Sequence, residues 1–196
     1  DYDNGKITPN GKSVTLTKTE LSENPILINT VIETGGHKIG YLMYNGFYPN
    51  YDAQLNEAFG LLKSQGVTDL VLDLRYNSGG SVNVATELAS MITGQFNGQV
   101  FAKQIWNSKI MNYYSSNPDA LINKFKSTLS NGNSINSVQL DKIYVITSKA
   151  TASASELVIN SLLPYIDVIR IGGVTTGKNV GSITLYDSPT FTKNNN

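Results

Sequence analysis

The chain has 196 residues, of which 40% are hydrophobic and 15% charged, the composition of an ordinary globular protein of about one domain. Its 15 basic and 15 acidic residues leave no net charge, so the composition does not favour binding to nucleic acid or to anionic lipid. The absence of cysteine excludes disulfides, cysteine-ligated zinc and thiol catalysis, and no apolar stretch reaches the roughly 18 residues of a membrane span.

The first part of the chain, residues 1–36, is rich in turn-forming residues and has one short alternating run, residues 13–17, that predicts a strand. This stretch is too small for a domain, and its polar start does not resemble a signal peptide. We therefore expect residues 1–36 to form a strand-containing connector and residues 37–196 to form the main domain.

From residue 38 onwards, predicted strands and helices alternate. Short aliphatic runs predict strands at residues 39–44, 70–74, 100–105, 143–147 and 168–171. Apolar residues at helical spacing predict helices at residues 55–66, 84–92 and 155–163, with a further amphipathic helix indicated by Leu121, Ile122 and Phe125. The polar tail, residues 193–196, is expected to fray. The alternation predicts an α/β sheet with crossover helices.

Three loops each follow a predicted strand directly, at residues 75–81, 148–153 and 172–178. In a parallel α/β sheet the carboxyl ends of the strands share one edge, where ligands usually bind. We therefore expect the three loops to converge and to form the site.

Ser153 and Lys178 lie on two of these loops. A serine hydroxyl is a poor nucleophile near neutral pH and needs a base beside it, and a lysine can take its proton if burial keeps the amine neutral. Lys149, in a polar loop, is expected to face solvent. The only histidine, His37, lies in a glycine turn before a predicted strand, and a Ser-His-Asp triad would depend on it alone. The pattern indicates a Ser-Lys dyad.

Ser153 also fits a structural role, because a serine three residues before Glu156 at the start of an apolar helix is the pattern of a capping box. On that motif alone, capping is favoured over catalysis. The small neighbours Ala152 and Ala154, however, leave room for a substrate backbone, and a helix start supplies free N–H groups for an oxyanion. Ser155 is expected to point away from Ser153.

The paired glycines Gly79 and Gly80 fit a tight turn, since glycine readily adopts positive φ. They also fit a role as backbone donors, which would complete an oxyanion hole with the N–H of Ala154. A phosphate-binding loop is less favoured, because neither a Walker lysine nor G-x-G-x-x-G spacing is present. We expect Asp73 to hold Arg75 or a loop amide, a structural role.

Taken together, residues 70–80, 151–156 and 176–178 resemble the carboxyl-terminal processing (tail-specific) protease family of serine peptidases. Residues 39–42 also resemble the first core strand of that family, and the resemblance extends from about residue 38 to 185. It implies a crotonase-like or ClpP-like α/β core. The implied site residues are the nucleophile Ser153, the general base Lys178 and the backbone oxyanion donors Gly79 and Ala154. Gly80, beside Gly79 in the same turn, is a candidate supporting residue.

Two positions depart from the family's pattern. Ser78 replaces the usual proline of the turn, and residues 179–182 replace the segment that contains the usual glutamine partner of the lysine. Either another group, with Ser182 as the candidate, orients Lys178, or the dyad is less well ordered than in typical members of the family.

The resemblance implies a serine endopeptidase without metal or cofactor that hydrolyses exported or envelope polypeptides, often near their C termini, in the periplasm or cell envelope. Its members carry a PDZ-like domain that presents the substrate, so residues 1–36 are expected to lead from such a domain and the chain to be the catalytic part of a longer protein. Two other functions stay open: a non-catalytic module that binds peptides or an apolar ligand on the same fold, and an acyl-CoA enzyme of the crotonase type.

Overall fold

The computed structural model describes residues 2–184 and 186–187, without the side chains of Tyr2 and Asp3. The strands are β1 (Tyr2–Asp3), β2 (Lys6–Ile7), β3 (Ile26–Thr34), β4 (His37–Tyr44), β5 (Asp69–Asp73), β6 (Val100–Lys103), β7 (Ile122–Lys124), β8 (Lys142–Thr147) and β9 (Asp167–Gly172). The helices are α1 (Asp52–Ser64), α2 (Val82–Ile92), α3 (Ser108–Tyr113) and α4 (Ala154–Leu162), with 3₁₀ turns at Pro49–Tyr51, Gly94–Phe96 and Pro118–Leu121. The predicted tail at 193–196 lies outside the described residues.

A five-stranded sheet in the order β3-β4-β5-β8-β9 forms the centre of the fold. β4, β5, β8 and β9 are parallel, and β3 pairs antiparallel with β4 at one edge. α1 connects β4 to β5, α2 lies on the path from β5 to β8, and α4 connects β8 to β9. The α/β class and the crossover helices predicted from the sequence are confirmed.

The predicted apolar positions of α1, α2, β5 and β8 supply much of the core. Those of α1 are all buried, and α1 ends before Gly66, whose φ of +68° suits the glycine that commonly follows a helix. β5 is flanked on both sides by parallel strands, which explains why it reads as a continuous apolar run. Ser81 begins α2 by accepting a hydrogen bond from the Val84 N–H. The sheet and its helices therefore hold the loops after β5 and β8 on a rigid base.

One prediction for the first part of the chain is wrong, and one strand there was not predicted. Residues 13–17 are exposed and form no strand, because no described strand pairs with them. The strand β3 was not predicted, because most of its side chains are exposed and its sequence lacks a clear apolar alternation. Since β3 and β4 form a hairpin, the predicted boundary at residue 36 falls within one structural unit.

Two predictions for the middle of the chain also need correction. β6 does form within the predicted residues 100–105, but it pairs antiparallel with β7 in a separate two-stranded sheet. The amphipathic helix expected around Leu121 and Phe125 is absent, because these two buried residues flank β7, which is held extended by β6. None of the helices in the described part of the chain has the length and apolar character needed to cross a membrane.

Candidate active site

The three loops that the sequence singled out meet at the carboxyl edge of the parallel strands. The N–H of Ala152, after β8, donates to the carbonyl of Asn77, after β5, at 3.2 Å. The N–H of Thr176, after β9, donates to the carbonyl of Thr151 at 3.0 Å. The predicted convergence of the loops is therefore present.

The fully buried Asn77 fixes the loop after β5. Its Nδ2 donates to the carbonyl of Tyr44 at 2.9 Å, and its Oδ1 accepts from the Gly79 N–H at 2.9 Å. Its carbonyl also accepts from the Ser155 hydroxyl at 3.0 Å, which turns that hydroxyl into the interior, as predicted. Sequence reasoning missed Asn77, although an asparagine two residues before a glycine is a known signal for a side-chain turn.

Ser153 lies immediately before α4 in a conformation that non-glycine residues rarely adopt, with φ 57° and ψ −113°. Such a conformation costs of the order of 1–3 kcal/mol, is kept only when its surroundings enforce it, and is concentrated at functional sites. A sharp strand-to-helix turn of this kind also carries the nucleophile in the α/β-hydrolases. The side chain is partly exposed. The surrounding structure therefore holds Ser153 in a strained backbone conformation with its side chain partly exposed.

The buried carboxylate of Glu156 links the Ser153 turn to the loop after β9. It accepts from the Ser153 N–H at 2.8 Å, the glutamate half of the predicted capping box, and from the N–H groups of Gly177 at 2.6 Å and Lys178 at 2.9 Å. Burial opposes its ionisation, but hydrogen bonds from the Thr175 side chain and these three amides outweigh it and hold the pKa of Glu156 below its usual range. One charged side chain thus positions the backbones of both candidate catalytic residues.

Ser153 and Lys178 line the same cleft, which has a volume of about 570 Å³. The burial expected for Lys178 is absent, because the residue lies exposed in a segment, residues 173–184, that forms no helix or strand. No hydrogen bond joins the Ser153 and Lys178 side chains in the described part of the chain. Ser182 lines the same cleft but makes no hydrogen bond to Lys178 among the described residues.

The expected oxyanion donors differ in their availability. The Gly79 N–H donates to Asn77, so it is already engaged. Within residues 2–184, the N–H groups of Gly80 and Ala154 donate to no hydrogen-bond acceptor. Gly79 instead packs against Ser153, since a Cβ added to Gly79 would lie 2.8 Å from the Ser153 Cβ. Of the three glycine and alanine amides expected to serve as donors, those of Gly80 and Ala154 are therefore not engaged in a hydrogen bond in the described chain.

Asp73 has the structural role that the sequence predicted. The fully buried carboxylate accepts from the Arg75 N–H at 3.0 Å, from the Arg75 guanidinium at 2.6 Å and from the Tyr41 hydroxyl at 2.7 Å. Burial opposes its ionisation, but the bonds from Arg75 and Tyr41 keep the pKa of Asp73 below its usual range. Asp73 therefore anchors the start of the loop after β5.

His37 is far from the site. It begins β4, at the opposite end of the parallel strands from Ser153, and its Nδ1 lies 2.8 Å from Asp69 Oδ2. Lys149 is exposed, as predicted. The described residues also place no three His, Asp or Glu side chains where they could hold a metal ion.

The family model for peptidase family S41 matches residues 38–187, which include all three loops. The chain belongs to peptidase family S41. The resemblance seen in the sequence is thereby confirmed, and the candidate nucleophile lies in the matched region.

Individual S41 relatives support the same conclusion. The carboxyl-terminal-processing protease of Picosynechococcus sp. is 27% identical over 167 residues, which cover 85% of this chain and 35% of the relative. The chloroplastic C-terminal processing peptidase of Tetradesmus obliquus is 28% identical over 178 residues, 86% of this chain and 34% of the relative. The chain thus spans about a third of the length of these curated relatives.

Solved structures agree on the fold. A Bacteroides fragilis structure assigned to the S41 proteases superposes with a TM-score of 0.74 at 32% identity, covering 88% of this chain and 44% of that one. A photosystem II D1 C-terminal processing protease superposes with a TM-score of 0.57 at 23% identity, covering 82% and 39%, and shows the shared fold alone.

Proposed function

We propose that this S41 chain is the catalytic part of a serine endopeptidase in which Ser153 is the nucleophile and Lys178 the general base. The observation that carries the proposal is the strained Ser153 turn, which opens into the cleft that Lys178 also lines. A capping serine has no need of a costly backbone conformation, whereas a nucleophile gains exposure from it.

In the proposed reaction, the neutral amine of Lys178 takes the Ser153 hydroxyl proton while Oγ attacks the peptide carbonyl carbon. The carbonyl electron pair moves to its oxygen, and the Gly80 and Ala154 N–H groups donate to the resulting oxyanion. As the carbon–nitrogen bond breaks, the ammonium of Lys178 returns the proton to the leaving amine. Water, deprotonated by Lys178, then hydrolyses the acyl-enzyme and regenerates Ser153.

Because Lys178 is exposed in the free chain, the bound substrate would have to exclude water from its amine. An ammonium loses its proton more readily when water is removed from it, because desolvation disfavours the charged form. We propose that the bound polypeptide covers the Lys178 amine and so produces the base, with Ser182, which lines the same cleft, as the residue that orients it.

We further propose that the substrates are exported or envelope polypeptides cleaved near their C termini, in the periplasm or cell envelope. The support is that relatives are named for carboxyl-terminal processing. We also propose, on the family resemblance alone, that a PDZ-like domain in the full-length protein presents the substrate tail and that the predicted connector, residues 1–36, leads from it.

Cleavage of an unfolded protein tests the dyad. We expect Ser153→Ala and Lys178→Ala each to lower the cleavage rate by at least about a thousandfold while leaving the circular dichroism spectrum unchanged. Lys149→Ala, an exposed lysine on the adjacent loop, is the matched control and should cleave at the wild-type rate. Full activity of Lys178→Ala would show that the base is another group.

The exposure of Lys178 also favours a second candidate, a peptide-binding module without turnover. In that case, wild-type protein would leave every unfolded substrate intact, and Ser153→Ala would bind peptides as tightly as wild type. Turnover by wild type that is lost in Ser153→Ala rejects this candidate.

A further inference from the structure

We propose that Asn123 and Asn160 select substrates with tyrosine immediately beside the cleaved bond, by binding the tyrosine hydroxyl at the end of the cleft away from Ser153. This inference rests on the proposed function for the cleft. It adds which substrate side chain the cleft accepts and which residues recognise it.

One face of α4 forms a long wall of the cleft. Ser153, Leu157 and Asn160 follow one another at helical spacing, and all three line the cleft. Asn160 lies seven residues after Ser153, which is about 10 Å along the helix axis. The side chain of Asn160 leans back towards the start of the helix, as helical side chains do. A substrate side chain that reaches Asn160 from the bond at Ser153 must therefore be long.

The two-stranded sheet of β6 and β7 forms the facing wall. Ala102, Gln104 and Trp106 are alternate residues, so they lie on one side of β6 and its continuation. Ala102 pairs in register with Asn123 on β7, and all four residues line the cleft. Ala102 and Trp106 on this wall, with Leu157 on α4, give the cleft apolar surface that suits an aromatic ring.

The two asparagines lie at the same end of the cleft. The Tyr165 hydroxyl donates to the Val100 carbonyl at 2.6 Å, which ties the end of α4 to the start of β6. Asn160 is near the end of α4, and Asn123 is opposite Ala102 near the start of β6. Both amides are therefore placed to contact the tip of one substrate side chain.

Hydrogen bonds determine which atom Asn123 presents. An indole N–H can only donate, and that of Trp106 donates to Gln104 Oε1 at 3.2 Å. The Gln104 amide therefore turns its Nε2 away from the indole, and this atom donates to Asn123 Oδ1 at 3.2 Å. Asn123 Nδ2 is left as a donor, and it has no acceptor within the described residues. A substrate group that binds there must accept a hydrogen bond.

Asn160 supplies the complementary group. Its side chain is exposed and makes no hydrogen bond in the described part of the chain, so its oxygen can accept. A tyrosine hydroxyl can accept from Asn123 Nδ2 and donate to Asn160 Oδ1, whereas phenylalanine can do neither. Lysine and arginine only donate, so they would leave the Asn123 donor without a partner. Tyrosine combines the required length, apolar ring and hydroxyl.

Paired peptides test the inference. The probes are two end-labelled peptides, rich in alanine and serine, that differ only in having tyrosine or phenylalanine as their single aromatic residue. We expect kcat/KM of the wild-type chain to be about tenfold higher for the tyrosine peptide, with cleavage beside the tyrosine. The difference arises because only tyrosine forms the two hydrogen bonds.

Substitution of each asparagine tests its part. Asn160→Leu and Asn123→Leu each remove one of the two bonds, so each should lower the ratio of the two kcat/KM values to about threefold. Asn112→Leu, an exposed asparagine of α3 outside the cleft, is the matched control and should keep the wild-type ratio. A partly unfolded variant loses activity towards both peptides equally, so the ratio is insensitive to folding. A wild-type ratio in both cleft variants would overturn the inference.

Binding of the same peptides to the chain carrying Ser153→Ala, measured by fluorescence anisotropy, separates this inference from the proposed function. Tighter binding of the tyrosine peptide without any cleavage by wild type would leave the inference standing and overturn the endopeptidase. Cleavage by wild type at equal rates for both peptides would overturn the inference and leave the endopeptidase intact. Failure of the chain to bind or cleave either peptide would also overturn the inference.

Discussion

Replacing Gly79 by alanine tests the packing that holds the Ser153 turn. Gly79 has a φ of +106°, and an added Cβ would lie 2.8 Å from the Ser153 Cβ and 2.9 Å from both the Ala152 oxygen and the Ala154 nitrogen. Two of these atoms belong to the backbone and cannot rotate away. The positive φ costs about 1–2 kcal/mol and the overlap about 1–3 kcal/mol, so we expect Gly79→Ala to lower the free energy of unfolding by about 3 kcal/mol.

Gly98→Ala is the matched control, because Gly98 also has a positive φ, +83°, but no atom lies within 4 Å of its added Cβ. Gly98→Ala should lower the free energy of unfolding only by the cost of the positive φ, about 1 kcal/mol. In a chain of this size each kcal/mol lowers Tm by about 2–4 °C, so thermal unfolding should show losses of about 6–12 °C for Gly79→Ala and about 2–4 °C for Gly98→Ala. Peptidase activity should be lost only in Gly79→Ala. Equal losses of Tm would refute the proposed packing against Ser153.

Two further substitutions test the contacts of the same turn. Since the folded-state pKa of Glu156 is lowered, its carboxylate stabilises the fold fully above the unfolded pKa of about 4.3, and this stabilisation is lost as the pH falls through the lower folded value. Glu156→Gln should therefore lower the free energy of unfolding, measured in urea, by about 2 kcal/mol at pH 7. The difference from wild type should shrink as the pH is lowered into the acid range. A difference that stays constant with pH would contradict this. Ser153→Gly should be about 1–2 kcal/mol more stable than Ser153→Ala, because glycine accepts the positive φ, and both should be inactive. Equal stability would mean that the turn is not strained.

The parallel centre of the fold could be predicted because its signals are local. β5 and β8 are short apolar runs, and α1, α2 and α4 repeat apolar residues at helical spacing, so each of these segments shows its structure in its own sequence. β3 lacks such a signal, since it is an edge strand with mostly exposed side chains and is defined by pairing with β4. β7 is similar: its three residues are extended because β6 lies beside them, which no local pattern shows.

The site could be predicted to the level of residues but not of atoms. The sequence placed Ser153, Lys178 and the glycine pair on loops that do meet, because the order of strands and loops determines which ends share an edge. It could not show which glycine amide is free, since the Asn77 side chain, packed in the interior, decides that Gly79 is engaged. Burial of Lys178 likewise depends on which other residues cover its loop, and the sequence of the loop itself does not show that.

Glu156 fixes the backbones of both residues of the proposed dyad but not the side chain of Lys178. Its carboxylate holds the backbone N–H groups of both Ser153 and Lys178, while the Lys178 side chain extends into the cleft without a hydrogen bond to Ser153 in the described chain. Substrate binding therefore has to order one side chain and not a loop, at a cost of up to about 2 kcal/mol in lysine rotamer freedom. Two backbone hydrogen bonds between the polypeptide and the cleft, worth about 1 kcal/mol each, are of the size needed to offset that cost. Binding of the polypeptide in the cleft and formation of the Ser153–Lys178 dyad would then be a single coupled event.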